Sequence, residues 1–208
     1  YRLITTGVNR EGEPIFPVMP YPAYGRMDSA DVKAIIAYIR TLEPIENETQ
    51  ASKPNFPMNL IMQMIPQRPD PIERPPASDT IATGEYLVRV GACQDCHTPM
   101  AQGQPVDSLF LAGGRVFAMP GGDTLRSANI TPDGSTGLGN WSAREFVRRF
   151  KRYDKPYEEV RAVPRGEFNT IMPWTMYAGM TEEDLRAMYK YLQTVPAKNN
   201  AVQIGSDH

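Results

Sequence analysis

The sequence predicts an all-α fold of short helices joined by long irregular connections, and three observations predict it. Apolar residues recur at helical spacing behind polar capping residues in the stretches that begin near residues 79, 142 and 181. Prolines number 20 in 208 residues, about twice the ordinary share of roughly one in twenty, which lengthens the segments between helices. A 24-residue stretch of helical character also occurs twice without a gap, 153 positions apart, and a repeat implies a repeated module.

The elements follow in chain order. "ITTGVNREGEPIFP" reads as a helix end, a turn and an extended lead. "MPYPAYGRMDSADVKAIIAYIRTL" from Met19 then carries an apolar stripe of Val32, Ile35, Ile36, Ile39 and Leu42. Residues 43–78 hold eight prolines around "NFPMNLIMQMIP", a stretch too apolar to be left in water. Such a linker is semi-rigid, lying along one module or across both, or docking onto another subunit. Residues 79–90, with Gly84, Tyr86, Leu87 and Val88, form the next helix. Residues 111–140 are a long turn-rich loop. Ser142 and Glu145 fit a capping box that opens a helix with Phe146, Val147 and Phe150 facing inward. Its other face is basic, with Arg144, Arg148, Arg149, Lys151, Arg152 and Lys155, a patch suited to steering an acidic redox partner or simply solvated. Thr181 with Asp184 caps the last helix, Glu182 and Glu183 suit its dipole, and Leu185, Met188, Tyr189, Leu192 and Val195 make its stripe before Pro196 ends it.

A net charge of −2 offers nucleic acid no basic surface. No apolar run approaches the length of about 18 residues that a membrane span requires. The chain starts at Tyr1 with neither an initiator Met nor a leader, which reads as a processed end or a truncation, with any anchor lost.

The chemistry concentrates in "GACQDCHTPM". It contains both cysteines, Cys93 and Cys96, followed by His97, one of two histidines. Two cysteines three apart cannot staple a chain of this length. A closed zinc site needs four ligands, and beyond these three only His208 or a carboxylate remains. A thioredoxin-like dithiol needs a surrounding βαβ pattern that is absent. Haem attachment explains all five positions of Cys93-Gln94-Asp95-Cys96-His97 together: the thiols add across the two vinyl groups of one porphyrin, and His97 is the proximal iron ligand. His208 is the final residue and a poor second ligand, which leaves methionine.

On this motif the chain resembles the class I c-type cytochromes. That resemblance implies a cytochrome c fold with haem-wrapping loops. It places the axial Met in a loop before the last helix, where "FNTIMPWTMYAGMTEEDL" offers Met172, with Met176 and Met180 as alternatives. It also makes the first and last helices cross closely beside the haem edge, an approach Gly84 would permit. "SANITPD" and "GLGNW" resemble stretches in cytochrome subunits of bacterial membrane dehydrogenases. The same resemblance implies that Asn129, Thr131 and Trp141 hydrogen-bond haem propionates, the alternative being an Asn/Thr/Pro turn and a core Trp. It further implies a location in the periplasm or on the outer face of the cytoplasmic membrane.

In the repeat, Met19, Pro20, Tyr24, Met27, Asp31, Ala34, Tyr38 and Thr41 are identical to Met172, Pro173, Tyr177, Met180, Asp184, Ala187, Tyr191 and Thr194. Residues 1–44 therefore read as the C-terminal half of a first cytochrome module, 45–78 as a Pro-rich linker and 79–208 as a complete module. Met19 is then the candidate ligand of a second haem, in a fragment of a dihaem protein. The alternatives are a haemless cap, or Met19 as a core residue. Haem held by His97 and Met172 has no open iron position, so one-electron transfer is the expected function. Redox proteins are the expected partners, including other subunits of a membrane-bound dehydrogenase or respiratory complex. A dihaem peroxidase with one open haem is the alternative enzyme, and a subunit with a vestigial haem is the third reading.

Overall fold

The structure is a computed structural model and describes residues 1–16, 19–48, 50, 52–119, 124–160, 162–164 and 169–205. The chain divides into two compact units, Tyr1–Arg74 with Val90–Ala92, and Pro75–Arg89 with Cys93–His208.

In the first unit α1 (Arg2–Thr6) stops at Gly7, whose φ of 72° lets its N–H reach back to the Leu3 carbonyl. Val8 bridges Pro14 across the following turn. Next come α2 (Tyr21–Tyr24) and α3 (Ser29–Ile39), the latter capped by the Asp28 carboxylate on the Ala30 N–H at 2.7 Å. The proline-rich segment supplies α4 (Met58–Met64), which buries Met62, and Tyr21, Ala23, Met27 and Val32 are the other buried apolar residues of this unit. Its later part lies along the turn between α2 and α3: the Asp70 and Ile72 amides donate to Gly25 and Arg26, and the Arg74 amide to Asp28. Through Arg74 the expected linker is thus bonded into the first unit, because a proline-rich strand still carries enough free amides to pair.

The second unit holds α5 (Thr80–Val90), α6 (Cys93–His97), α7 (Ala143–Lys151), α8 (Trp174–Tyr177) and α9 (Glu182–Leu192). The capping box at Ser142 and Glu145 is present in full, whereas Thr181 accepts only the Asp184 N–H at 3.1 Å. Each cap contributes about 1 kcal/mol. The core joins Val88, Leu111, Phe146, Phe150, Leu185, Met188 and Leu192. Gly84 meets α9 so closely that a Cβ on it would lie 2.0 Å from the Ala187 oxygen. One expectation is corrected. Helix α9 ends at Leu192, and Val195 completes the buried stripe from the turn beyond it. The fold is mostly helical, as the sequence predicts, with two small antiparallel ladders added: β1 (Met100–Ala101) pairs with β2 (Gln104–Pro105), and β3 (Val116–Ala118) with β4 (Thr124–Arg126). Backbone polar groups near a core demand partners, and the glycine-rich loop supplies them by folding back on itself.

The sequence repeat is also a structural one. Shifted by 153, α2 coincides with α8 and α3 with α9, residue for residue at both ends. Pro20 (φ −77°, ψ 56°) matches Pro173 (φ −78°, ψ 64°), and in both copies the amide two residues after the Met returns to the Met carbonyl at 2.8 Å.

Candidate haem site

One turn of helix presents the motif. In α6, Cys93, Cys96 and His97 fall at i, i+3 and i+4 and share one side. Both cysteines are free thiols. Burial, and then the neighbouring Cys96, push the Cys93 thiol up to about 12; burial raises Cys96 as well. Among the described residues no three His, Cys, Asp or Glu side chains cluster to hold a metal ion.

His97 is oriented by its surroundings. Its Nδ1 lies 2.8 Å from the Ala128 carbonyl oxygen. A carbonyl only accepts, so Nδ1 carries the proton and the lone pair is on Nε2. Burial lowers the His97 pKa, against the opposing pull of that carbonyl, which keeps the ring neutral and able to ligate. The β3–β4 hairpin builds the shelf. Its stalk continues through Gly114 N–H to Ser127 O and Ser127 N–H to Arg115 O, which places Ala128 beside the imidazole. The Gly113 N–H donates to the His97 carbonyl at 2.7 Å, and the Arg115 guanidinium donates to the Asp95 carbonyl. Gly113 has φ 75°, and a Cβ there would lie 2.4 Å from the Ala128 carbonyl carbon. Gly113, Arg115 and Ala128 escaped the sequence reading; the pair Gly113-Gly114 was the available signal.

Met172 is half-buried and packs against the second unit's core, as does Cys93. Met180 packs there too, whereas Met176 is 76% exposed. The Met172 amide is tied to the Thr170 hydroxyl at 3.1 Å. Met19, in the other unit, is half-buried. His208 lies outside the described residues.

Asn129 and Thr131 are buried, and their hydrogen bonds run within the protein. Asn129 Nδ2 donates to Thr136 Oγ1 and the Lys198 carbonyl, while its Oδ1 accepts from the Thr131 amide and hydroxyl. Both amide hydrogens and the threonine hydroxyl are thereby committed. Trp141 is half-buried, with its carbonyl accepting from the Tyr189 hydroxyl at 2.5 Å. It lines a cavity of about 460 Å³ with Arg148, Arg149 and Arg152.

The donor set fits a c-type haem: two free thiols, a neutral imidazole with Nε2 unprotonated, and a thioether. The fringe of the core fits as well, since Cys93, Ile130, Trp141, Met172 and Trp174 are apolar groups left half-covered, a surface a porphyrin would seal.

No family model matches the chain. Over 99% of its length it is 27% identical to the cytochrome c subunit of alcohol dehydrogenase (quinone) from Gluconobacter oxydans, covering 44% of that protein. The subunit of the same description from Gluconacetobacter polyoxogenes is 30% identical over 91% of the chain and 42% of its own length. A diheme cytochrome c-type protein from Cereibacter sphaeroides is 29% identical over 92% of the chain and 62% of its own length. The chain thus spans less than half of the two dehydrogenase subunits. Along nine-tenths or more of its sequence the chain is thus similar to cytochrome c subunits of dehydrogenases and to a diheme cytochrome c, and a CxxCH turn that frees the imidazole Nε2 is consistent with a cytochrome c of that type.

Proposed function

We propose that the chain carries electrons through a haem c bonded to Cys93 and Cys96, with His97 and Met172 on the two sides of the iron. Each thiol S–H adds across one vinyl C=C, so nothing is lost. When bound, the haem supplies a one-electron Fe(III)/Fe(II) couple. The single observation that supports this is the Nδ1 bond of His97 to Ala128, which leaves the lone pair on Nε2 available to a metal.

The chain's residues do the rest. Ala128, Gly113 and Arg115 hold the CxxCH turn, and Asn129 and Thr131 support that shelf by locking the turn that follows Ala128. On this reading Asn129 and Thr131 brace the site rather than bond a propionate, and Trp141 is the member of the expected trio left facing a cavity. Met172 closes the sixth position, so the role is electron transfer and not catalysis on substrate. Its partners are the other subunits of a dehydrogenase complex, as the names of the relatives suggest, and a covalently attached haem fits a place outside the cytoplasmic membrane. No helix among the described residues is long and apolar enough to cross a membrane. Met19 stands in the same local frame as Met172, and we extend the proposal to it as the ligand of a second haem, whose attachment cysteines these 208 residues do not include.

Intact mass and carbon monoxide difference spectra test the reading. One covalent haem, with no prompt CO binding by the reduced protein, is expected; Met172→Ala should then bind CO. Alkylatable thiols at both cysteines would sink it, and prompt CO binding by the unaltered protein would favour the peroxidase-type alternative.

A further inference from the structure

Among the described residues three buried side-chain polar atoms have no hydrogen-bond partner: the Tyr21 hydroxyl, the Gln94 carbonyl oxygen and the Trp174 indole nitrogen. Two of the three occupy the same place in the repeat, directly after Met19-Pro20 and Met172-Pro173. The residue types differ, but both bring a hydrogen-bond donor on an aromatic ring.

Trp174 is the more informative. An indole N–H can only donate, and leaving it unmet in a buried place costs about 1–3 kcal/mol. The ring cannot easily turn away: it stacks on Tyr153 with centroids 5.4 Å apart and leans on Phe150 at 5.4 Å. The Arg149 guanidinium lies over it, 4.8 Å from the centroid. Arg149 also lines the cavity of about 460 Å³ with Arg148 and Arg152, where the carboxylate among the described lining residues, Glu145, accepts at Oε2 from the Ser142 amide and hydroxyl. An acceptor suited to a cationic neighbourhood is an anionic oxygen. Tyr21 lines a smaller cavity of about 80 Å³ with Arg26, Arg68 and Asp70, of which Arg26 is paired with Asp70 at 3.6 Å and Arg68 is the further cation.

We propose that Trp174 Nε1 donates a hydrogen bond to one propionate of the haem, and that the aromatic residue after the Met-Pro pair is a haem-positioning donor in both copies of the repeat. This rests on the haem reading above. The only anionic oxygens a haem carries are its two propionates, and Trp174 sits two residues from the thioether assigned to its iron. Trp174 is a positioning residue: it fixes a carboxylate, not the iron.

The test uses the haem-loaded protein, grown on a haem precursor that places carbon-13 in the propionate carboxyls, so that only two labelled signals appear. In reduced Trp174→Phe, one propionate resonance should move and the other stay, with the haem still attached by mass. In the unaltered protein one of the two indole N–H signals should be slow to exchange with solvent and show a cross-peak to a propionate. Two unmoved resonances, or an indole cross-peak to water alone, would overturn the proposal while leaving the haem reading intact. Absence of attached haem would instead defeat the parent reading. Should Trp174→Phe not fold, the cross-peak in the unaltered protein decides.

Discussion

Tyr38 and Tyr191 stand 153 positions apart at the same place in two copies of one helix, yet Tyr38 is 66% exposed and Tyr191 8%. Their neighbours follow suit, with Ile39 at 51% against Leu192 at 2%. In the second unit Gly84 brings α5 onto this stripe, and the Tyr191 Cβ lies 2.9 Å from where a Gly84 Cβ would be. The face is the same; what covers it differs.

Charge substitution exposes that difference. Ile39→Glu should change stability by no more than about 0.5 kcal/mol. At the equivalent position Leu192→Glu buries an unpaired carboxylate and should cost about 4 kcal/mol or more. Denaturant titration of the two variants checks the pair, and equal losses would show that exposure on α3 does not persist in solution.

Crossing distance gives a second prediction. Gly84→Ala puts a methyl 2.0 Å from the Ala187 oxygen, so α5 and α9 must part. Overpacking of this kind costs about 1–3 kcal/mol. A lower thermal midpoint for the haem-bound protein is expected; an unchanged one would mean the helices separate without cost.

The shelf under His97 gives a third. Gly113→Ala combines a left-handed φ of 75° with a contact 2.4 Å from the Ala128 carbonyl carbon. Strain and displacement together should cost about 2 kcal/mol or more. The electronic spectrum of the haem-bound variant should show a larger high-spin fraction on warming than the unaltered protein, since the Ala128 oxygen no longer steadies the imidazole. A merely structural lesion would lower the melting point and leave the spin state alone.

Removing the orphaned hydroxyl of Tyr21 should do no harm. Burial alone raises its pKa, and among the described residues the oxygen has no hydrogen-bond partner. Tyr21→Phe in this chain is expected to be neutral or to stabilise the first unit by about 1 kcal/mol. A loss of that size in chemical denaturation would reveal an unseen acceptor.

Acid sensitivity follows from Asp133. The Thr136 hydroxyl, then the Thr136 and Ser135 amides, hold its carboxyl below the usual carboxylate range. The unfolded chain therefore takes up the proton at a higher pH than the folded one. The stabilisation is present above the unfolded carboxylate pKa of about 4 and is lost as pH falls through the lower folded value. Asp133→Asn should flatten the fall in melting temperature below about pH 4; an unaltered slope would mean that other groups govern acid unfolding.

Much of the local structure was legible because its causes are local. The Ser142 and Glu145 capping box opens α7 as read, Gly84 marks a helix crossing, and the 24-residue repeat returns as matching helices. The turn-rich loop at 111–140 gave no sign of its β3–β4 ladder, because such a ladder depends on pairing that no periodicity announces. Where the proline-rich segment lies is also a tertiary matter: the amides of Asp70, Ile72 and Arg74 find acceptors far back in the chain.

The sequence by itself determined the chemistry, since a CxxCH motif brings two thiols and an imidazole together within one turn of helix wherever that turn is placed. Only the tertiary structure decided which imidazole nitrogen is left for a metal, because the Ala128 carbonyl that fixes the tautomer comes from 31 residues further on. It also decided which copy of the repeated stripe is buried. Amphipathicity is written in one helix, but burial depends on a second helix arriving to cover it.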